Sequence, residues 1–457
     1  MALNPSTVIR RSALERGAAR ARALAAAAAI TFASALAIDA RADGGDEAGQ
    51  MPYAIPRETL IPGTPGMPGG LHVMVNAFAH AQNAGLGAHR IDNGIGLRYP
   101  GGATVPIVDD DWAMAYARDA GGWVEGLLML NLEPLTIGPG GYPEVGQSGE
   151  GLYDAQHAHQ LLHQAMIAVH PLSSIPGWHP EGMMHEGAYD LSVFAGQGSA
   201  TIGPPIFMHR ASSPGPTVPR KHHKGENPHE TFPVIGTSLR VHDTWFEASA
   251  FSALELTPDD TRFTPHVAAP ASFAARVRRV FGGWLELQVS AERLRDQAPD
   301  EPDAFQASAS AYAWGDVGGV RLDGLLDWAI DAPDRVAGED RHTAQALLGE
   351  IAVRSSNRRE IVWARTELNQ REEPAARGGG VSSPWIFQTL GFEHVALGGV
   401  SSGLQLGLFG EGTVIAIPSS LEGFYGTTTA VTLNVGIHLF GMWMLDGHLR
   451  PMHHGAM

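Results

Sequence analysis

From Leu71 onward, hydrophobic and polar residues alternate with a period of two along most of the chain. Between Ala430 and Phe440, Val431, Leu433, Val435, Ile437 and Leu439 form one row, and Thr432, Asn434, Gly436 and His438 form the other. This period is the mark of a strand with unlike faces, because successive side chains point to opposite sides. From Trp123 to Leu135 the apolar row is Val124, Leu128, Leu130 and Leu132, set against Glu125, Met129, Asn131 and Glu133. Leu127 interrupts the polar row, and Pro134 ends the segment because it has no N–H to give to a ladder. The same reasoning predicts strands near 71–81, 109–118, 187–196, 232–242, 244–252, 271–281, 284–292, 304–314, 319–330, 341–354, 357–369, 384–397 and 404–417. Hairpin turns are expected at Gly282-Gly283 and from Asp316 to Gly319.

Most of these segments have at least the roughly 9–11 residues that a tilted membrane-spanning strand requires. No convincing amphipathic helix accompanies them. The expected fold is all-β, a transmembrane antiparallel β-barrel of about 14–16 strands. A secreted soluble sandwich or propeller is the competing reading, but its strands would be shorter and would carry no outward apolar band. Trp112, Tyr116, Trp123, Trp284, Trp363, Trp385 and Trp443 fall near strand ends, where aromatic girdles are expected.

Composition fits a strand- and loop-rich chain: 56 Gly, 31 Pro and 17% charged residues in 457. With no cysteine, disulfides and thiolate metal sites are excluded. Residues 1–42 read as a signal peptide. Arg10, Arg11, Arg16, Arg20 and Arg22 precede an apolar core from Ala23 to Ile38, and Ala40-Arg41-Ala42 makes an A-x-A cleavage site. That core is shorter than the roughly 20 residues of a spanning helix. The segment carries six Arg against Glu15 and Asp39, a net +4, so the formal −17 of the whole chain leaves −21 for the remainder. Such acidity argues against a nucleic-acid partner. The expected organisation is a signal at 1–42, a Pro- and Gly-rich lead-in at 43–70, a barrel at 71–444 and a His- and Met-rich tail at 445–457.

The densest chemistry lies between Glu150 and His159, where Glu150, Asp154, Gln156, His157 and His159 crowd into ten residues. On a strand His157 and His159 would share a face; on a helix Asp154 would line up with His157 and His159 with His163. Asp154, His157 and His159, with His209 from a later loop, form a candidate set for a divalent metal, copper or zinc. The bland reading is a hydrogen-bonded polar plug. For that, Glu125, Glu133, Glu150, Gln156 and Arg210 are expected to join an interior polar cluster. Arg220-Lys221-His222-His223-Lys224 makes a basic loop suited to lipopolysaccharide phosphates. His448, Met452, His453, His454 and Met457 combine imidazole and thioether, the donor set that suits copper.

L-N-L-E-P-L-T at 130–136, Q-S-G-E at 147–150 with D-A-Q-H-A-H-Q-L at 154–161, G-P-P-I-F-M-H-R at 203–210 and His222-His223 resemble a family of uncharacterised proteobacterial outer-membrane proteins. The resemblance implies an outer-membrane location and a barrel fold, and no particular chemistry. The family's second motif typically reads D-x-Q-H-P-H-D-L. This chain has Ala158 in place of the proline and Gln160 in place of the second aspartate, which weakens any acid–base role there.

Three functional classes are compatible with these features. A channel or structural barrel with a polar, partly plugged lumen needs only the alternating strands. A metal-handling outer-membrane protein would use the Asp154, His157, His159 and His209 set. An outer-membrane lipid hydrolase, with His157 or His159 as base, would need a nucleophile; no G-x-S-x-G elbow is present, and Ser148 is the nearest serine.

Overall fold

The computed structural model describes residues 70–88, 90–92, 98–100, 102–119, 123–132, 161–172, 189–203, 232–253, 270–295, 303–334, 343–357, 359–370, 385–399, 404–445 and 449–451. Sixteen long strands run through them: β1 Gly70–Leu86, β2 Ala103–Arg118, β3 Val124–Asn131, β4 Leu162–Val169, β5 Tyr189–Gly198, β6 Phe232–Val241, β7 Thr244–Phe251 and β8 Ser272–Phe281. The second half comprises β9 Leu285–Leu294, β10 Ala304–Val317, β11 Val320–Pro333, β12 Ala344–Arg354, β13 Glu360–Asn369, β14 Trp385–Gly399, β15 Leu404–Ala416 and β16 Thr429–Leu445. Each strand pairs antiparallel with the next, and β1 pairs with β16 from Leu71↔Leu445 to Leu86↔Val431, so the sheet closes on itself. Closure leaves no sheet edge, as hydrocarbon demands of any strand that crosses it. Short strands Arg90–Asp92 and Arg98–Pro100 form a separate ribbon, and Leu449–Pro451 folds back on the end of β16.

Alternation decides which side chain meets which environment. On β16, Leu433, Val435 and Ile437 face out and are exposed, Val435 at 67%, whereas Thr432, Asn434 and His438 face in and are buried. The same parity holds round the barrel: Phe273, Val277, Leu287, Val289, Leu390 and Leu408 are outward and exposed. Apolar side chains left in contact with solvent on every strand would be costly in water, so an outward row of this kind fits a lipid surround.

Turn chemistry sets the ends. β10 and β11 are joined by two residues, Gly318 and Gly319, with φ of 60° and 83°, a conformation that glycine adopts without steric cost. β6 and β7 are joined by His242 and Asp243, with His242 at φ 54°. These tight turns share one end of the barrel with the joins after β2, β8, β12 and β14. The connections after β3, β5, β7 and β13 are longer and leave from the other end, whereas the one after β4, residues 170–188, is a long connection on the tight-turn end.

Two expectations need correction. Trp112, Tyr116, Trp363 and Trp385 do not form an outer girdle; they point inward and are buried. Trp363 lies flat over Gly391, where a Cβ would overlap its indole. Outward aromatics are instead Phe246, Phe273, Phe281, Phe305, Trp328 and Phe392. The second correction is β4, for which the period of two gave no sign. A register shift opposite Met129 and Leu130 puts His163 and Gln164 in succession on the buried side, breaking the alternation.

Candidate functional site

The inner wall carries the chemistry. Its buried carboxylates outnumber its buried arginines more than two to one among the described residues. Buried charges persist only where partners and hydrogen bonds compensate for lost water, and the pairs follow the strand registers.

At the tight-turn end, Tyr116 on β2 donates to Glu125 Oε2 at 2.6 Å. His170, just past β4, lies between two carboxylates: its Nε2 is 3.2 Å from Glu125 Oε1 and its Nδ1 is 3.0 Å from Asp190 Oδ1. Burial alone would favour neutral imidazole, but the hydrogen bonds and charges of Asp190 and Glu125 outweigh it and raise the His170 pKa to about 9. His170 is therefore an imidazolium at neutral pH.

Asp190 pairs in register with Arg240, and Arg240 with Trp245. The Trp245 ring sits between two guanidinium groups, Arg240 at 5.0 Å and Arg278 at 4.2 Å from its centroid. Arg278 Nη1 donates to Glu286 at 3.1 Å, and Arg276 Nε donates to Glu247 at 2.6 Å. On the far wall, Arg365 Nε donates to Glu350 at 2.6 Å, with Glu367 3.4 Å from its Nη1. His438 stands 3.0 Å from Glu393 and 2.8 Å from Asn76, and its ring stacks on Phe78 at 4.1 Å.

At the long-loop end, the segment after β5 turns into the barrel. Thr201 meets Ser249 on β7 through its N–H and hydroxyl, both at 3.0 Å, and donates to the Ala274 carbonyl on β8. Gly203 N–H donates to Ser290 on β9, and its carbonyl accepts from Arg276 Nη1 at 3.1 Å. Ala200 and Ile202 pack among Phe251, Ala274 and Leu294. Residues 199–203 thus cross the inner wall from β5 to β9. Between β15 and β16, the short helices Ser419–Leu421 and Glu422–Tyr425 bring Leu421 and Tyr425 down onto Trp385, with the Tyr425 ring edge-on at 5.6 Å. Two connections therefore narrow the interior from that mouth.

Of the residues singled out from sequence, Glu125 is placed inward in the His170 pair. Glu133, Glu150, Asp154, Gln156, His157, His159, His209 and Arg210 lie outside the described residues, as does the tail beyond Pro451. Among the described residues, no group of three or more His, Asp or Glu side chains converges as a metal site. The interior residues that sequence reasoning missed, from Asp190 to Arg365, carried a usable signal: polar and charged residues recurring at alternate positions along the strands, as in Glu286, Gln288, Ser290 and Glu292.

No protein-family model matches the chain, and no curated protein matches it either. Among solved structures it is similar to OprB of Pseudomonas putida at 11% identity and a TM-score of 0.47, over 82% of this chain and 94% of that one. An anion-selective porin from Comamonas acidovorans matches at 11% identity and 0.43, over 81% and 98%. The outer-membrane channel DcaP of Acinetobacter baumannii matches at 7% identity and 0.44, over 82% and all of that chain.

Proposed function

We propose that the protein is an outer-membrane β-barrel that acts as a channel with a polar, partly plugged lumen. The observation that carries this reading is the opposition of the two faces of a closed sixteen-stranded sheet. Its outer row is apolar, and its inner row bears paired charges and hydroxyls. A barrel of this strand number encloses more space than side chains alone fill, which is what an aqueous passage needs. Residues 199–203 and 419–425 make that passage narrow.

In such barrels the tight turns lie on the periplasmic side and the long loops outside. On this reading the connections that carry Asp154, His157 and His159, and His209 with Arg210, leave the barrel at the same outer mouth. Residues 1–42 would be the export signal. The D-A-Q-H-A-H motif would mark membership of the uncharacterised outer-membrane family that it resembles. Lipids of the outer membrane are the surround, and the basic loop at 220–224 is suited to lipopolysaccharide phosphates. Metal-handling and lipid hydrolysis gain no support from the described residues. The test is swelling of liposomes containing the refolded protein in isotonic solutions of small neutral and charged solutes. Swelling that falls off with solute size is expected; vesicles with confirmed barrel insertion that stay sealed to every solute would overturn the reading.

A further inference from the structure

One strip of the inner wall has more hydrogen-bond acceptors than donors. Three adjacent strands, β9, β10 and β11, present inward residues in register. Glu292, Gln306 and Asp331 form the rung nearest the long loops, followed by Ser290 with Ser308, then Gln288, Ser310 and Asp327. Glu286, Tyr312 and then Asp323 complete the strip toward the tight turns.

The donors of this strip are spent within it. Ser310 donates to Gln288 Oε1 at 2.9 Å, the Ser290 and Ser308 hydroxyls share one bond at 3.0 Å, and Tyr312 donates to Asp323 at 2.9 Å. Gln306 Nε2 is turned to Asp331 at 3.5 Å. Two acceptors are left over: Asp327 Oδ1 and Gln306 Oε1 have no hydrogen-bond partner, and both side chains are inward-facing at 2% exposure. Apart from Arg321, held by Asp316 and Asp323 at the turn rim, no described residue on the inward face of these strands is basic.

A buried carboxyl group with an idle oxygen either keeps its proton or is held ionised by a donor or a cation that reaches it. We propose that this strip is a binding path for organic cations, ammonium-bearing solutes that Asp327 anchors while Gln306 and Asp331 accept further N–H bonds. A compact metal ion fits less well, because the acceptors are strung along the wall and no described trio of ligands converges. Along β11, Asp327 and Asp331 stand four residues apart, about 13 Å at roughly 3.3 Å per residue, a spacing for an elongated cation or successive positions of a small one. This inference names the solute class for the channel proposed above.

The experiment titrates 1,6-diaminohexane into detergent-solubilised, folded full-length protein by calorimetry, with 1,6-hexanediol as the neutral control of equal length. Channel activity is not needed for the readout, so sealed vesicles and absent binding are separate outcomes. The diamine is expected to bind and the diol not. Asp327→Asn should weaken diamine binding by about 10- to 100-fold, the range of one charge-assisted hydrogen bond. Asp327→Glu should recover part of it. Asp334→Asn, on the exposed rim, should leave it unchanged. Retained heat-modifiable gel mobility shows that each variant is folded; Asp331→Asn replaces Asp327→Asn if that one is not. No diamine binding, equal binding of the diol, or undiminished binding by the folded Asn variant would each overturn the proposal.

Discussion

At the scale of single residues, the inner wall is organised by what each buried charge faces. His170 is the clearest case, since its pKa is raised to about 9 by Asp190 and Glu125 against the opposing effect of burial. A histidine whose folded pKa lies above its unfolded value of about 6.5 stabilises the fold most at low pH. That contribution is complete below about pH 6.5 and is lost as pH rises through about 9, and it is worth roughly 3 kcal/mol at most. We therefore expect the urea midpoint of the detergent-solubilised wild-type protein to fall between pH 6.5 and 9.5, and His170→Gln to flatten that fall; a variant with the wild-type slope would contradict it. Arg365 gives a second test. Its Nε meets Glu350 and its Nη1 faces Glu367, all three buried. Arg365→Leu removes the cation and leaves two buried acids facing each other, a change expected to cost about 3–5 kcal/mol in urea unfolding. Replacing all three with apolar residues together should recover most of that loss.

At the scale of the strand, legibility followed regularity. β16 was readable because Val431 to Leu439 alternate without a break, and the β10–β11 hairpin because a turn is expected from Asp316 to Gly319, which the structure narrows to Gly318 and Gly319. β4 was not readable, because the bulge sets His163 and Gln164 on the same side and a period of two cannot represent that. Tryptophans near strand ends were readable as such but not by face; only the closed structure turns Trp363 onto Gly391 and Trp385 onto Tyr425. The site divided in the same way. Glu125 was legible as an inward acid, but its bond to His170 depends on β4 and so was not. The Asp154–His159 motif stood out by density, and it lies outside the described residues. Turn chemistry also yields a prediction: Gly318→Val places a β-branched residue at φ 60° and should destabilise the β10–β11 hairpin by roughly 1–2 kcal/mol. Gly315→Ala, with open space at its Cβ, is the control and should be near neutral.

The whole molecule is a closed sheet with an apolar outer surface and an inner surface that encloses polar groups. Deleting residues 199–203 should widen the passage, because they tie β5 to β7, β8 and β9 across the interior. Larger solutes should then permeate liposomes carrying the deletion, checked against the size limit of the wild type. The division between a lipid-facing outside and a polar inside can be read directly, because the chain contains no cysteine. Single cysteines at positions 432 to 439 can each carry a nitroxide in otherwise native protein in liposomes. Collisional relaxation by oxygen, which partitions into lipid, is then measured at every position. High oxygen accessibility is expected at 433, 435, 437 and 439, and low accessibility at 432, 434 and 438. Accessibility without a two-residue period, or a period with the even positions in lipid, would contradict it.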